Sequence, residues 1–207
     1  ADEHDDIVST KAAQVGATLA ETFDDIHMAG ERGMNVIHTL QNSDVIKGFV
    51  VPKVDPIIEN NPVIKQMLRS DSQNLKQFNK NYVFFRGANA ESQAINISSD
   101  ILKIDEMDRS NQKVVSTFDS RLDYSKVSRI KRFSNPSSRG FGVGALWVDS
   151  DQRHWFIKCH HCNHEWFMEW KRTDTEHYVD LERKIYACGK CDKEITDHDR
   201  RMGRWVA

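Results

Sequence analysis

The stretch Ile101-Leu102-Lys103-Ile104-Asp105-Glu106 predicts the fold of this 207-residue chain. A short apolar run that ends in two adjacent carboxylates is typical of a buried parallel strand that delivers acidic groups to the edge of a sheet. At that edge Asp105 can hold a Mg²⁺ ion, and Glu106 can orient a water molecule for attack on a phosphate. The alternative is an ordinary strand with a charged end, so the rest of the chain has to decide.

A candidate phosphate-binding loop precedes this strand in the chain. Residues 7–10 predict a short strand, residues 11–18 a tight turn, and residues 19–29 a helix. A strand, a loop and a helix N-terminus direct backbone N–H groups and the helix dipole toward one anion. In the pattern G-x-x-x-x-G-K-[ST], Gly16 takes the second glycine and Thr18 takes the hydroxyl that binds Mg²⁺.

The loop departs from that pattern at two positions. Ala17 stands where the lysine is expected, and Lys11 stands where the first glycine is expected. A lysine at the loop entrance can still place its ammonium group across the loop toward the terminal phosphates. The interpretation as a nucleotide-binding loop, against an ordinary strand-to-helix turn, involves Lys11, Ala12, Ala13, Gln14, Val15, Gly16, Ala17 and Thr18.

The remaining segments alternate between predicted strands and helices. Strands are predicted at residues 34–40, 74–78, 82–86 and 127–133, and helices at residues 43–51 (with Ser43 as N-cap), 62–69 and 114–122. Residues 140–149 are predicted to form a glycine-containing connector and a helix. The strands at 74–78 and 82–86 are close enough to form a hairpin. Alternation of this kind predicts a mainly parallel α/β sheet.

Ser134, Asn135 and Pro136 follow the predicted strand at residues 127–133. A polar pair and a proline at the tip of a parallel strand place side-chain donors beside the neighbouring strand tips. A group that senses the terminal phosphate would lie there. The alternative is a simple turn.

The four cysteines form two C-x₂-C pairs, Cys159 with Cys162 and Cys188 with Cys191. Two such pairs supply four thiolates, which close a tetrahedral Zn²⁺ shell and leave no position for water. This spacing predicts a structural zinc site, and a redox pair is the alternative. His160, His161 and His164 are then expected at the surface. Trp155, Phe156, Trp166, Trp170 and Trp205 are expected to form the apolar body of this small module.

Composition excludes several classes of protein. With 39% hydrophobic residues the chain can bury one core and carry a small appendage. No segment is long and apolar enough to span a membrane, and no leader opens the chain, so we expect a soluble intracellular protein. The net charge of -2 excludes a polycation that coats nucleic acid.

The order of these motifs resembles the large subunit of tailed-phage terminases, in the lambda-like branch. That branch also has a displaced loop lysine. The resemblance extends over most of the chain and includes FVVPKVDPIIENNPVIKQML (residues 49–68), FRGA (85–88), SRIKRFSNPSSRGFG (128–142) and DSDQRHWFIKCHHC (149–162).

The resemblance implies a fold and a function. The expected fold is α/β, a P-loop NTPase with an additional strand between the Walker A and Walker B strands, over residues 1–152, followed by a zinc ribbon over residues 153–207. The expected function is Mg²⁺-dependent ATP hydrolysis that drives double-stranded DNA into a capsid, in the host cytoplasm. The expected partners are the portal protein, the small terminase subunit and further copies of the chain. The nuclease domain usual in the family is not visible here.

The resemblance also assigns roles to individual residues. Lys11, Gln14, Gly16 and Thr18 match the phosphate loop, Asp105 the metal carboxylate, Glu106 the catalytic base, and Ser134 to Pro136 the coupling motif. The predicted catalytic residues are Glu106, Asp105 and Lys11. Thr18 and Asp105 are the predicted Mg²⁺ ligands. The candidates for an arginine finger are Arg86, Arg109 and Arg139.

Two other functions remain open from the sequence. One is a nucleotide-binding zinc-ribbon module that binds nucleic acid without turnover, which the missing standard lysine favours. The other is a helicase-type ATPase. The adjacent Asp105 and Glu106 favour catalysis, because a mere binding site has no need of an acid that orients water.

Overall fold

The computed structural model describes residues 6–168 and 179–207. The chain divides into two compact units, residues 1–150 (unit 1) and residues 151–207 (unit 2). Trp170, which was predicted to contribute to the apolar body of the small module, lies outside the described residues. Within the described part, no helix combines the length and the apolar character that crossing a membrane requires.

Unit 1 is built on a seven-stranded sheet in the order β1-β7-β6-β2-β5-β4-β3. Five strands, β1, β7, β6, β2 and β5, run parallel, whereas β4 and β3 pair antiparallel at one edge. The strands are β1 (Asp6–Thr10), β2 (Val36–Leu40), β3 (Leu68–Ser72), β4 (Leu75–Phe78), β5 (Asn81–Gly87), β6 (Ile101–Asp105) and β7 (Arg129–Ser134).

Helices cover both faces of this sheet. They are α1 (Ala17–Gly30), α2 (Ser43–Phe49), α3 (Asp55–Glu59), α4 (Pro62–Met67), α5 (Gln112–Asp119) and α6 (Gly142–Val148), with short 3₁₀ turns at Glu91–Ala94, Met107–Arg109 and Ser120–Leu122. The prediction of a mainly parallel α/β sheet is confirmed. The additional strand is β7, because it lies between β1, which leads into the loop at residue 11, and β6, which ends at Asp105.

The core forms two apolar layers, one on each face of the sheet. Because side chains alternate along a strand, Ile101 of β6 joins one layer and Leu102 joins the other. The first layer packs against α1 and α2 and includes Ile26, Val36, Leu40, Ile46, Phe85 and Ile101. The second packs against α5 and includes Ile37, Leu102, Ile104, Val114, Val115 and Phe118.

Three predictions about local structure are wrong. Asn42, not Ser43, caps α2, because its side chain accepts hydrogen bonds from the N–H groups of Asp44 and Val45. The helix does not stop at residue 51 but continues through a π-helical turn, Val50–Val54. Pro52 has no N–H for a regular helical ladder, and the wider turn carries the chain past it. The predicted helix at 62–69 ends at Met67, and the polar strand β3 follows.

Unit 2 contains two small antiparallel sheets. The three-stranded sheet has the order β12-β8-β9, and β10 pairs with β11. The elements are β8 (His154–Lys158), β9 (Glu165–Phe167), β10 (Val179–Asp180), β11 (Ile185–Tyr186), α7 (Asp197–Arg201) and β12 (Arg204–Val206).

The apolar core of unit 2 consists of Ile157, Trp166 and Ile195 together with Cys159 and Cys188. Trp166 is buried, as predicted. Trp155 and Trp205 are 36% and 61% exposed, so their predicted place in the core is wrong. They face each other across β8 and β12, in an edge-to-face pair at the surface.

Candidate functional site

The carboxyl ends of β1, β7 and β6 meet at one edge of the sheet, because the three strands are parallel neighbours. The ladder places Thr10 beside Ser134 and Asp105 beside Phe133. The N–H group of Lys11 donates to the carbonyl oxygen of Ser134 over 2.9 Å. We call the group Lys11, Thr18, Asp105, Glu106 and Ser134 the strand-edge site.

Lys11 contacts both predicted carboxylates. Its Nζ lies 3.0 Å from Asp105 Oδ1 and 2.8 Å from Glu106 Oε1. Burial lowers the pKa of Lys11, but the hydrogen bond to Glu106 and the charge of Asp105 outweigh burial, and the net pKa is raised. Lys11 therefore carries a positive charge at the position where the sequence predicted a displaced loop lysine.

Thr18 lies in the first turn of α1 and donates from Oγ1 to Asp105 Oδ2 over 2.5 Å. The other oxygen of Asp105 accepts the N–H of Glu106 at 2.8 Å. A hydroxyl and a carboxylate oxygen side by side are the hard oxygen donors that Mg²⁺ takes from a protein, with substrate phosphates and water completing its shell. Thr18 and Asp105 thus fit a Mg²⁺ site.

The loop between Lys11 and α1 is exposed at residues 12–16. Gln14 and Gly16 both have left-handed backbone, with φ of 59° and 80°. Gly16 adopts this conformation without steric cost and leads directly into α1, so the turn delivers the chain to the helix N-terminus. The arrangement of strand, loop and helix is the one that the sequence predicted for phosphate binding.

The predicted coupling motif begins inside the strand-edge site. Ser134 is fully buried at the end of β7, whereas Asn135 and Pro136 are exposed. Ser134 Oγ accepts the N–H of Asp108 over 3.3 Å. Sequence reasoning missed Asp108, whose carboxylate binds the segment that follows this motif. Its only signal was a third acidic residue two positions after Glu106.

Sequence reasoning also missed a buried ion network between α1 and the sheet. Lys103 has no exposed side-chain surface, and its Nζ lies 2.7 to 2.8 Å from carboxylate oxygens of three α1 residues. The network consists of Glu21, Asp24, Asp25, His38, Lys103 and Lys131, with His38 Nδ1 2.6 Å from Asp25 Oδ2. Burial lowers the pKa of Lys103, but the charges of Asp25, Glu21 and Asp24 outweigh it and raise the net pKa.

The three arginine candidates have different surroundings. Arg86 donates to the carbonyl oxygens of Asn74 and Phe85 at 3.0 and 3.1 Å. Burial lowers the pKa of Arg86. Arg109 and Arg139 are exposed. These backbone contacts hold the Arg86 side chain within its own unit.

The four cysteine sulfurs converge in unit 2, and all lie within 4.8 Å of one another. We call Cys159, Cys162, Cys188 and Cys191 the cysteine cluster. The Sγ atoms of Cys159 and Cys191 are 3.8 Å apart, and those of Cys162 and Cys188 are 3.7 Å apart. A tetrahedral shell with Zn–S bonds of about 2.3 Å has sulfur–sulfur edges of about 3.8 Å, so the cluster fits Zn²⁺.

The residues around the cluster leave the ligand set to the four cysteines. Burial raises the pKa of Cys188 to about 12. Among the described residues, the candidate metal group contains the four cysteines and none of the three histidines. His160 instead contacts Asp199, with 2.8 Å between Nδ1 and Oδ2. Unit 2 has 11 Lys and Arg against 11 Asp and Glu, so its charge is balanced.

A family profile matches nearly the whole chain. The profile described as phage terminase large subunit gpA, ATPase domain, matches residues 1–205. No sequence among curated proteins matches the chain significantly.

Solved structures of large terminases share the fold. The large terminase of the thermophilic bacteriophage D6E is 15% identical, with a TM-score of 0.57, over 71% of this chain and 38% of that chain. A second D6E structure, in complex with ADP, is 13% identical, with a TM-score of 0.55, over 70% and 37%. The HK97 bacteriophage large terminase is 10% identical, with a TM-score of 0.61, over 70% and 32%. The chain therefore matches well under half the length of these proteins.

Proposed function

Because the chain belongs to the family of phage terminase large subunits, through their ATPase domain, we propose that it hydrolyses ATP with Mg²⁺ to drive double-stranded DNA into a capsid. One observation supports this most: Lys11 Nζ lies 2.8 Å from Glu106 Oε1 and 3.0 Å from Asp105 Oδ1 at the strand edge. A lysine, a metal carboxylate and a second acid meet beside a loop that opens a helix. Groups of these kinds recur in phosphoryl-transfer sites.

In this proposal Thr18 and Asp105 would hold Mg²⁺, which would supply positive charge beside the phosphates. The N–H groups of residues 12–18 donate hydrogen bonds to the phosphate oxygens at the start of α1. Glu106 accepts the proton of the attacking water. This role needs a free carboxylate oxygen within hydrogen-bond reach of the water.

The contact between Lys11 and Glu106 gives this site an order of events. The ammonium group that pairs with Glu106 belongs to Lys11, the residue at which the loop begins. A terminal phosphate in the loop competes for Lys11 as a charge-assisted hydrogen-bond partner. Once Lys11 turns to the phosphate, Glu106 Oε1 is released to accept a proton. Binding of ATP would thereby activate its own base, whereas ADP, which lacks the terminal phosphate, would not.

The wider assignment follows the family. We propose residues 1–152 as the ATPase domain and residues 153–207 as a zinc ribbon, with Zn²⁺ held by the cysteine cluster. Ser134 to Pro136 would couple hydrolysis to movement of the DNA. The portal protein, the small terminase subunit and further copies of the chain would be partners, in the host cytoplasm. Since the terminase structures above are much longer, further domains would share this work.

The test separates turnover from mere binding. We expect Glu106→Gln to lower kcat by about 10² to 10⁴-fold, because it removes the proton acceptor but keeps size and polarity. Binding of ATP, measured by calorimetry, should change little. Chelation of Mg²⁺ should abolish hydrolysis by the unmodified protein. Asp123→Asn, at an exposed aspartate of the same unit, is the matched control.

Two outcomes would overturn the proposal. A protein that binds ATP and never hydrolyses it, even when assembled with DNA, would be a nucleotide-binding module without turnover. Unchanged hydrolysis by Glu106→Gln would remove Glu106 from the reaction. A helicase-type ATPase would instead separate the strands of a duplex, which the same preparation can be assayed for directly.

A further inference from the structure

We propose that Asp108 is a positioning residue, which holds the turn that carries Glu106 against the segment of residues 134–143. The inference rests on the proposed function, because it concerns the base of that reaction. It assigns a role to a residue that lies two positions after Glu106 and does not face Lys11 or Thr18 in any contact described above.

The side chain of Asp108 accepts three hydrogen bonds from the segment beyond β7. Oδ2 accepts the N–H of Ser137 at 2.8 Å and the hydroxyl of Ser137 at 2.9 Å. Oδ1 accepts the N–H of Val143 at 2.8 Å. Val143 is fully buried in the second apolar layer, at the start of α6. One carboxylate thus binds both ends of the loop between the coupling motif and α6.

The backbone of Asp108 makes a further contact to the same segment, because its N–H donates to Ser134 Oγ at 3.3 Å. Ser134 in turn accepts the N–H of Lys11 through its carbonyl oxygen. Asp108 is therefore connected to the strand-edge site through Ser134, as well as through its neighbour Glu106. Hydrogen bonds to a charged acceptor are stronger than those between neutral groups, so this junction resists separation.

The chain leaves Asp108 the space that these contacts need. Gly142 has φ of +54°, and a Cβ there would lie against the Asp108 carboxylate, so any other residue would push the side chain away. Glycine also adopts this left-handed conformation at little cost. The close approach of Gly142 and Asp108 is a built feature of the junction.

The geometry of Glu106 depends on the same turn. Glu106 has left-handed backbone, with φ of 51° and ψ of 46°, which is uncommon for a residue with a side chain. Its carbonyl oxygen accepts the N–H of Arg109 at 2.9 Å and the hydroxyl of Ser110 at 3.2 Å. The turn Met107–Arg109 thus fixes the backbone of Glu106, and Asp108 fixes the turn. A base displaced by about 1 Å can lose about 10²-fold in rate.

The first experiment measures the junction without reference to activity. In Asp108→Asn one amide oxygen replaces two carboxylate oxygens, so it cannot accept all three hydrogen bonds from Ser137 and Val143. The NH₂ group then faces a hydrogen-bond donor. We expect amide hydrogen exchange at Ser137 and Val143 to quicken by about tenfold or more, with the thermal midpoint of unit 1 nearly unchanged. Asp123→Asn should leave these two amides as they are. Exchange that matches the unmodified protein would overturn the inference.

The second experiment measures catalysis. We expect Asp108→Asn to lower kcat about 10- to 100-fold, with KM and the Kd for ADP within about twofold, because nucleotide contacts remain. Ser137→Ala removes a single hydroxyl donor and should give a smaller loss in the same direction. Gly142→Ala should also lower kcat. The additional effect of Gly142→Ala should be much smaller when Asp108→Ala is already present, because Asp108→Ala removes the carboxylate that Gly142 accommodates.

The outcomes separate the inference from the proposed function. In one outcome the protein hydrolyses ATP, Glu106→Gln abolishes this hydrolysis, and Asp108→Asn has the same kcat as the control Asp123→Asn. The inference is then wrong, and the proposed function stands. If neither Glu106→Gln nor Asp108→Asn affects hydrolysis, the proposed function is wrong and the inference falls with it. A fall in kcat matched by an equal fall in the fraction of folded protein would reduce Asp108 to a stabilising residue.

Discussion

The strand-edge site and the cysteine cluster both gather ionisable side chains, but they neutralise charge in different ways. At the strand edge, Lys11 lies between Asp105 and Glu106, so opposite charges pair within the chain. In the cysteine cluster, four side chains of one kind face one another, with 3.7 to 3.8 Å between two pairs of sulfurs. The first site therefore contains its own counter-charge, whereas we propose that the second takes its cation from solution.

The cores of the two units also differ in the source of their cations. Unit 1 buries two apolar layers and, between α1 and the sheet, an ion network that supplies its own cations, Lys103 and Lys131. Among the described residues of unit 2, the buried core contains three apolar residues and two of the cluster cysteines. A core this small rarely folds firmly without a metal or disulfides. The comparison predicts that the lysines built into unit 1 stabilise it in the way that we propose Zn²⁺ stabilises unit 2.

The largest effect is expected from loss of the metal. Cys188→Ser, or a strong chelator, should unfold unit 2 and leave unit 1 folded, because binding of zinc and folding are one process in such small modules. We expect about one zinc per chain by elemental analysis in the unmodified protein and none in the variant. Hydrogen exchange resolves the two units separately.

His161→Ala is the control for this prediction, since His161 is exposed and neighbours Cys162 without joining the cluster. It should retain the metal. The comparison fails if Cys188→Ser keeps unit 2 folded. It also fails if mass spectrometry finds Cys159 disulfide-bonded to Cys162 in reducing buffer, which would restore the redox alternative.

The next largest effect is expected in the ion network. Lys103→Met should lower the free energy of unfolding of unit 1 by about 3–5 kcal/mol, because it leaves buried carboxylates without their cation. Denaturant unfolding monitored within unit 1 measures the loss. The control is Lys113→Met, whose lysine is 82% exposed and pairs with Glu91 at 3.2 Å. An exposed pair contributes at most about 1 kcal/mol. Equal losses in the two variants would contradict the prediction.

A moderate effect is expected when the cation of the strand-edge site is removed. Lys11→Ala should raise the Kd for ATP by about tenfold or more and the Kd for ADP by less, because its charge is proposed to reach the terminal phosphate. Calorimetry with both nucleotides measures the difference, and Lys126→Ala, at an exposed lysine, is the control. Equal losses for ATP and ADP would place Lys11 on the phosphates that both share.

The smallest effect is a pH dependence of the ion network. Burial raises the pKa of Asp25, but the charges of Lys103 and His38 outweigh burial and lower the net pKa. A lowered pKa stabilises the folded state above the unfolded value of about 4, and this stability is lost as the pH falls through the folded value. The difference in thermal midpoint between the unmodified protein and Lys103→Met should therefore shrink below about pH 4. A constant difference from pH 7 to pH 3 would contradict this.

The sheet and the strand-edge site were predictable from local patterns. An apolar run before Asp105-Glu106 indicates a buried strand, and the carboxyl ends of parallel strands meet wherever the strands are neighbours. Lys11, Thr18 and Ser134 follow or flank such strands, so their convergence needed no knowledge of distances. The cysteine pairs were equally informative, because two C-x₂-C pairs are typical of a metal site and predict that the four sulfurs converge.

Other features depend on pairings that no local pattern records. Lys103 interrupts an apolar strand and resembles an exposed residue until α1 places three carboxylates above it. Asp108 acquires its partners from a segment about 30 residues later. Trp205 is large and apolar, yet it is 61% exposed and pairs with Trp155 at the surface. In each case the deciding contact joins distant parts of the chain.

The hydrogen-bond ladder around β7 also limits which insertions and deletions the chain tolerates. Loss of one residue within Arg129–Ser134 would shift Ser134 by about 3.3 Å and turn its side chain to the other face of the sheet. The connection between Leu122 and Arg129 enters β7 at the opposite end, away from Lys11 and Glu106. Extra residues there leave the strand tips where they are. Length variation among relatives is therefore expected in that connection and not in β6 or β7.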